Sequence, residues 1–221
     1  CIKSQDIVQI IQILFHKSSE IIKNKYILNN YIMDMIGEIC ASPHLDFIKK
    51  LKLDMGKDCK VYVEIGVLYG GSMIMMMNMD SPCLHIGIDP FAGYYGKSFD
   101  PHRQIDLTNH YHITSENIRK NNKYSQEWKL IKGKSEEVKN QVIENIDFLF
   151  IDGDHSREGV INDFNNYSKK VNIGGLIVFD NYSDPSWPQV KEAVDLLCDI
   201  HALSYKVHSQ YGHCLVLKKL N

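Results

Sequence analysis

The sequence predicts an α/β fold, a mostly parallel sheet with helices on both faces, and three observations carry that prediction. From Lys60 onward, short apolar runs alternate with stretches of helical periodicity, the pattern of successive strand–helix–strand crossovers. Residues 146–182, IDFLFIDGDHSREGVINDFNNYSKKVNIGGLIVFDNY, contain one complete crossover. There 148–151 and 176–179 read as strands, and Val160, Phe164, Tyr167 and Val171 recur at about 3.6 residues before Gly174-Gly175 closes the helix. The last two strand-like runs are joined only by Ser209-Gln210-Tyr211-Gly212. That turn is too short for a parallel crossover, so these strands form an antiparallel hairpin.

Taken in order, Ile7, Ile10, Ile11, Leu14, Phe15, Ile21 and Ile22 recur at helical spacing and predict an amphipathic helix over about residues 4–24. A second helix is expected at about 30–40, and Ser42-Pro43 starts a third with Leu45, Ile48 and Leu51 on one face. The chain thus divides into an N-terminal helical extension, 1–58, and a domain, 59–221, that together make one compact unit. Three uses are open to the extension: to cover a sheet face, to cover a cleft, or to pair with a second copy in a homodimer. Strands are predicted at 60–65, 84–89, 128–132, 146–151, 174–179, 203–208 and 213–218, and helices at 71–78, 108–121, 135–143, 156–171 and 188–200. Met73, Met75, Met76, Met77 and Met79 read as packing, since Met fills irregular core space. Segment 91–112 is long, aromatic and polar, with Gly93, Tyr94, Tyr95, Gly96, His102, His110, Tyr111 and His112. A loop of that kind on the active edge of a sheet is expected to act as a lid or binding loop.

Composition narrows the function classes. At 221 residues with 44% hydrophobic content, the chain suits one domain with a real core. A net charge of -2, from 25 basic and 27 acidic residues well interspersed, offers no basic stripe for nucleic acid. No apolar run approaches the roughly 18 residues of a membrane span, and Asp6, Gln9, Gln12 and His16 interrupt what would be a signal peptide. The six cysteines (1, 40, 59, 83, 198, 214) lack CxxC or CxxH spacing. The expectation is reduced thiols in a cytoplasmic protein, with neither zinc site nor disulfide framework.

The chemistry concentrates at strand ends. The crossover strands terminate in Asp152-Gly153-Asp154-His155 and in Asp180-Asn181, and a right-handed crossover brings both tips to the same carboxyl edge of the sheet. Oxygen ligands converging there suit a hard cation such as Mg²⁺. The plainer reading is that each Asp caps its following loop or helix. Upstream, Val61-Tyr62-Val63-Glu64-Ile65-Gly66-Val67-Leu68-Tyr69-Gly70-Gly71-Ser72 reads as strand, glycine turn and helix start, a backbone that a ligand can approach closely. Its glycines lack the G-x-G-x-x-G spacing of dinucleotide folds, which disfavours an NAD-dependent oxidoreductase. The next strand ends on Asp89, about 20 residues further on, where such folds bind ribose hydroxyls.

Together these pieces resemble a known family. Glu64-Ile65-Gly66, Gly70-Gly71, Asp89 and Gly133-Lys134-Ser135 are similar to the three S-adenosylmethionine-binding segments of class I methyltransferases. Asp152 and Asp180-Asn181 resemble the metal ligands of catechol O-methyltransferase-type enzymes. The Asp-Gly-Asp-His form and the long insertion after Asp89 are closer to the macrocin and mycinamicin type of sugar O-methyltransferase. The resemblance runs from about residue 60 to 218. It implies a Rossmann-like, seven-stranded, mostly parallel sheet with an antiparallel last strand. It implies S-adenosylmethionine held by Glu64, Gly66, Tyr69, Gly70, Ser72, Asp89, Gly133, Ser135 and Asp152, and Mg²⁺ or Mn²⁺ held by Asp152, Asp180 and Asn181. His155 stands where the catechol branch has its catalytic Lys, so the base is open between Asp154 and His155.

The activity so implied is Mg²⁺-dependent methyl transfer to a sugar hydroxyl, a 6-deoxyhexose such as rhamnose in a glycan or glycoside. A catechol-type acceptor and a non-catalytic module of a larger enzyme are the alternatives. Because the sequence starts at Cys1, a domain of a longer glycan-modifying polypeptide is a further expectation.

Overall fold

The structure is a computed structural model that describes residues 27–28, 31–32, 44–92, 109–143 and 145–221. Two short strands, β1 (Ile27–Leu28) and β2 (Tyr31–Ile32), pair antiparallel and precede helix α1 (His44–Met55). The alternating part follows: β3 (Val61–Ile65), α2 (Gly71–Met77), β4 (Leu84–Asp89), α3 (His110–Asn121), β5 (Trp128–Lys132), α4 (Ser135–Val138), β6 (Ile146–Ile151), α5 (Arg157–Tyr167), β7 (Val171–Phe179), α6 (Pro188–Ile200), β8 (Tyr205–Tyr211) and β9 (Cys214–Lys219).

One sheet of seven strands runs in the order β5-β4-β3-β6-β7-β9-β8. The β5 to β7 block is parallel, and β9 runs antiparallel to both β7 and β8. Central β6 is buried along its whole length, as a parallel strand covered on both faces must be. Side chains alternate across the sheet. Tyr62, Phe148, Phe150, Leu176, Val178 and Val216 join the face covered by Leu45, Ile48 and Leu51 of α1 and by the methionines of α2. Val63, Leu149, Ile151, Ile177 and Phe179 join the opposite face under α5 and α6. The methionine run is therefore core, as expected. Asp147, buried within β6, accepts from Lys60 N (2.8 Å), Val61 N (3.0 Å) and Asn172 Nδ2 (2.7 Å), which satisfies it and ties the starts of β3 and β7 together.

The differences from expectation have local causes. Gly174-Gly175, read as a helix end, lie inside β7, where the β6–β7 register shifts between Ile146 and Phe148. A Cβ on Gly175 would come within 3.0 Å of Asp147 O and 2.8 Å of Val171 Cγ1, so this glycine serves a close approach at an irregular strand start. The helix expected over 135–143 stops at Val138 and tightens to a 3₁₀ turn, because the chain must return to β6 within a few residues. The helix expected over 156–171 likewise ends at Tyr167 and passes through a 3₁₀ turn. Tyr31 and Ile32, placed in a helix over 30–40, are strand residues; the rest of that helix, the helix over 4–24, and any subunit pairing through them lie outside the described residues. So does the expected lid, apart from its ends at 91–92 and 109–112. No helix among the described residues is long and apolar enough to cross a membrane.

Candidate active site

Parallel alignment brings the tips of β3, β6 and β7 level. Ile65 pairs with Ile151 and Ile151 with Phe179, while Asp152 N donates to Ile65 O (2.9 Å) and Asp180 N to Ile151 O (3.1 Å). The next residues, Gly66, Asp152 and Asp180, therefore leave the sheet side by side. Burial and the neighbouring Asp180 charge push the Asp152 carboxyl up to about 6, although the His155 imidazole at 3.2 Å opposes the rise and 28% of the side-chain surface stays open. Burial alone would lower His155, but its hydrogen bond to Asp152 and the charges of Asp152, Asp180 and Asp154 outweigh it and the net shift is upward. The ring also packs on Trp187, with centroids 4.6 Å apart. Asp180 Oδ1 accepts from the buried Cys214 thiol (3.1 Å). Asn181 sits at φ 58°, a left-handed conformation that Asn tolerates, and its Nδ2 donates to Asp184 Oδ2 (3.4 Å).

These bonds separate ligand-like from capping carboxylates. Exposed Asp154 accepts from Ser156 N (2.9 Å), and Ser156 Oγ caps α5 by accepting from Gly159 N (3.0 Å). The plainer reading thus describes Asp154. It does not describe Asp152 or Asp180, whose bonds go to side chains. The carboxylate that orients His155 by accepting from its Nε2 is Asp152, not Asp154. Among the described residues no three His, Cys, Asp or Glu side chains cluster as a metal site; the expected set has two carboxylates and an amide. Two repelling carboxylates with oxygen donors at adjacent tips nonetheless fit a hard divalent cation, whose charge would relieve the repulsion that raises Asp152.

The glycine turn lies next door. Gly66 has φ 90°, and a Cβ there would fall 1.9 Å from Asp152 O, so only glycine allows β3 and β6 to end so close together. Gly70, at φ 89°, is the N-cap of α2. Beneath the turn, buried Glu64 accepts from Tyr62 Oη (2.6 Å) and from Ser72 Oγ, and burial pushes its carboxyl up to about 8 against those two bonds. Tyr69 is buried with its ring 4.8 Å from His110, and its carbonyl accepts from Asn117 Nδ2 (3.1 Å). Asp89, expected to meet ribose, accepts from the backbone N–H groups of Val67 (2.9 Å), Leu68 (3.0 Å) and Phe91 (2.6 Å). Its carboxylate thus holds the turn in shape, while burial, outweighing these bonds, shifts it upward.

Gly66, Asp89, Gly133, Ser135, Asp154 and Asp163 line one cavity of about 250 Å³. Small-molecule pockets usually run from about 300 Å³ upward, so this one suits one end of an extended cofactor. Glu64, Tyr69, Gly70, Ser72 and Asp152, also expected to hold the cofactor, are not on its wall; the first four shape the turn behind it. Asp163, which sequence reasoning missed, is 3% exposed and bonded to Ser135 Oγ. Its signal was an acidic residue inside the apolar face made by Val160, Phe164 and Tyr167.

Burial, opposed by the Ser135 bond, pushes Asp163 up to about 7 from 3.8. The folded chain then holds a proton that the unfolded chain releases, so Asp163's contribution to stability is fully present below about 4 and is lost as pH rises through about 7. Asp163→Asn is expected to flatten thermal stability between pH 5 and 8 and to raise Tm at pH 8, as melts at both pH values can read. An unchanged pH profile would show Asp163 to be ionised throughout.

Comparison with known proteins agrees with this geometry. A family model described as "Methyltransferase domain" matches residues 63–182. An uncharacterised protein of Acanthamoeba polyphaga mimivirus is 38% identical over 185 residues, covering 83% of this chain and 77% of that protein. The structure of the O-methyltransferase NovP superposes with TM-score 0.60 at 20% identity, over 80% of each chain. The apo structure of CalS11, a TDP-rhamnose 3′-O-methyltransferase of calicheamicin biosynthesis, superposes with TM-score 0.54 at 16% identity, over 79% of this chain and 76% of that one. The matched segment spans the glycine turn, Asp89, both acidic tips and the crossover between them, and the chain belongs to the methyltransferase domain family, the class I enzymes that depend on S-adenosylmethionine.

Proposed function

We propose that this protein is a divalent-cation-dependent O-methyltransferase that methylates one hydroxyl of a vicinal diol on a sugar, a 6-deoxyhexose such as rhamnose in a glycan or glycoside. The observation that carries the reading is the pair of carboxylates, Asp152 and Asp180, on adjacent strand tips with His155 against them. Asp152, Asp180 and Asn181 would hold Mg²⁺ or Mn²⁺. When bound, S-adenosylmethionine supplies an electrophilic methyl group and the cation supplies Lewis-acid activation and orientation of the acceptor. The chain's own residues supply the rest. The glycine turn and the 250 Å³ cavity bind and orient one end of the cofactor. His155, fixed by Asp152 and Trp187, is placed to take the acceptor proton, whereas the Asp154 carboxylate is engaged by Ser156 N. The sugar assignment draws on Asp-Gly-Asp-His and on CalS11, which acts on TDP-rhamnose.

The test is transfer of labelled methyl to TDP-rhamnose, methyl rhamnoside and catechol, with and without chelator. Transfer to a rhamnose acceptor, abolished by chelator and restored by Mg²⁺, is the expected result. His155→Ala should lower kcat by roughly 10²–10⁴, with Asp154→Asn close to the parent. Full turnover in chelator refutes the cation requirement, and faster turnover of catechol moves the acceptor class.

A further inference from the structure

Far from the carboxyl edge, two thiols meet at the amino ends of β3 and β4. Cys59 Sγ and Cys83 Sγ are 4.0 Å apart and share a hydrogen bond. We propose that Cys59 and Cys83 form a reversible intramolecular disulfide, a redox-modification site driven by small disulfides such as oxidised glutathione.

The backbone permits the bond. Val61 lies opposite Leu84 in the parallel ladder, and Leu84 N donates to Lys60 O (2.8 Å), which sets Cys59 one step diagonal to Cys83. Both residues precede the paired strand residues, so the strict alternation of the ladder does not bind them, and their sulfurs already face each other at 4.0 Å. Cys59 follows a 3₁₀ turn with extended φ and ψ of -85° and 92°, and the sulfurs need to close by about 2 Å, which side-chain rotation can supply.

Access and activation are both present. Cys83, itself 6% exposed, lines a cleft of about 530 Å³ together with Asp80, Pro82, Tyr124 and Gln126. Cys59 lies behind it, 2% exposed. The bond shared with Cys59, helped by the Lys52 charge, lowers Cys83 despite burial, while that same bond and burial raise Cys59. Cys83 is thus the attacking thiolate and Cys59 the resolving thiol. In the first step, Cys83 Sγ attacks one sulfur of the small disulfide, whose S–S bond breaks and releases one thiolate. Cys59 then gives up its proton and attacks Cys83 Sγ, forming the protein S–S bond and releasing the second thiolate. Two protein thiols are oxidised by two electrons and one small disulfide is reduced to two thiols. The ring so closed, residues 59–83, contains β3, the glycine turn and α2, so oxidation tethers the element that holds the cofactor end of the site.

The test incubates the purified chain with oxidised glutathione, traps free thiols by alkylation and maps tryptic peptides. The expected product links the Cys59 peptide to the Cys83 peptide, is reversed by dithiothreitol, and raises Tm by on the order of 5–10 °C. In Cys59→Ser, Cys83 should instead retain glutathione, and in Cys83→Ser neither product should form. Full alkylation of both cysteines, glutathione left on Cys83 of the unmodified chain, or linkage of either to another cysteine would each overturn the proposal. The mapping reads the unmodified protein, so it stands even if a variant fails to fold.

Discussion

Asp180→Ala is expected to lower kcat for methyl transfer by about 10³-fold, because loss of one carboxylate of the Asp152–Asp180 pair removes several kcal/mol of transition-state stabilisation, at about 1.36 kcal/mol per decade. S-adenosylhomocysteine affinity, read by calorimetry, should remain within about threefold of the parent on the same reasoning, since Asp180 is not on the wall of the cofactor cavity. Residual activity should no longer respond to Mg²⁺. The carboxyl of Asp152 should also titrate lower, its neighbour's charge being gone. If Asp180→Ala keeps full, chelator-sensitive turnover, the cation is held elsewhere. If cofactor affinity collapses with activity, Asp180 acts through the shape of the edge.

Gly66→Ala should be the most damaging single added methyl among the described glycines. The added carbon would lie 1.9 Å from Asp152 O and 2.5 Å from the carbonyl carbon, both backbone atoms, at a φ of 90°. No side-chain rotation relieves such a clash, so β3 and β6 must part at their carboxyl ends. The expected cost is about 3 kcal/mol or more, from overpacking and positive φ together. Parting of the strands should also break the bond from Asp152 N to Ile65 O (2.9 Å), displacing the carboxylate from Asp180. A Tm fall of roughly 6–12 °C with loss of S-adenosylhomocysteine binding is expected. Gly56→Ala is the control, since nothing lies within 4 Å of a Cβ there and its φ is also positive (56°). Equal effects from the two would show that the positive φ alone matters.

Much of this protein was legible in its chain. Alternation of short apolar runs with helical periodicity specifies β3 to β9 and their helices, because burial on a sheet face or along a helix stripe is a local, periodic demand. The turn signal before Cys214 specifies the antiparallel end of the sheet, although the structure shortens the expected four-residue turn to Gly212 and His213, with Ser209, Gln210 and Tyr211 paired in β8. Acidic residues directly after apolar strands mark the edge proposed as the reactive one, since a parallel crossover leaves them no other place. The burial of Asp163 was harder to read: one carboxylate in an apolar helix face looks like noise until Ser135, 28 residues away, is seen to donate to it.

What each carboxylate does was decided by packing. Asp89, Asp152, Asp154 and Asp180 all end or follow strands, and the sequence treats them alike. Folding gives Asp89 the N–H groups of a turn about 20 residues earlier, gives Asp154 the N–H of Ser156, and leaves Asp152 and Asp180 to His155 and Cys214. Asp152 and Asp154 find partners within three residues, but for Asp89 and Asp180, whose partners Val67 and Cys214 lie 22 and 34 residues away, the reason is range. Periodicity reports which face a residue occupies, whereas a hydrogen bond requires a donor within about 3 Å, and long-range donors arrive only when the sheet has brought distant strands level.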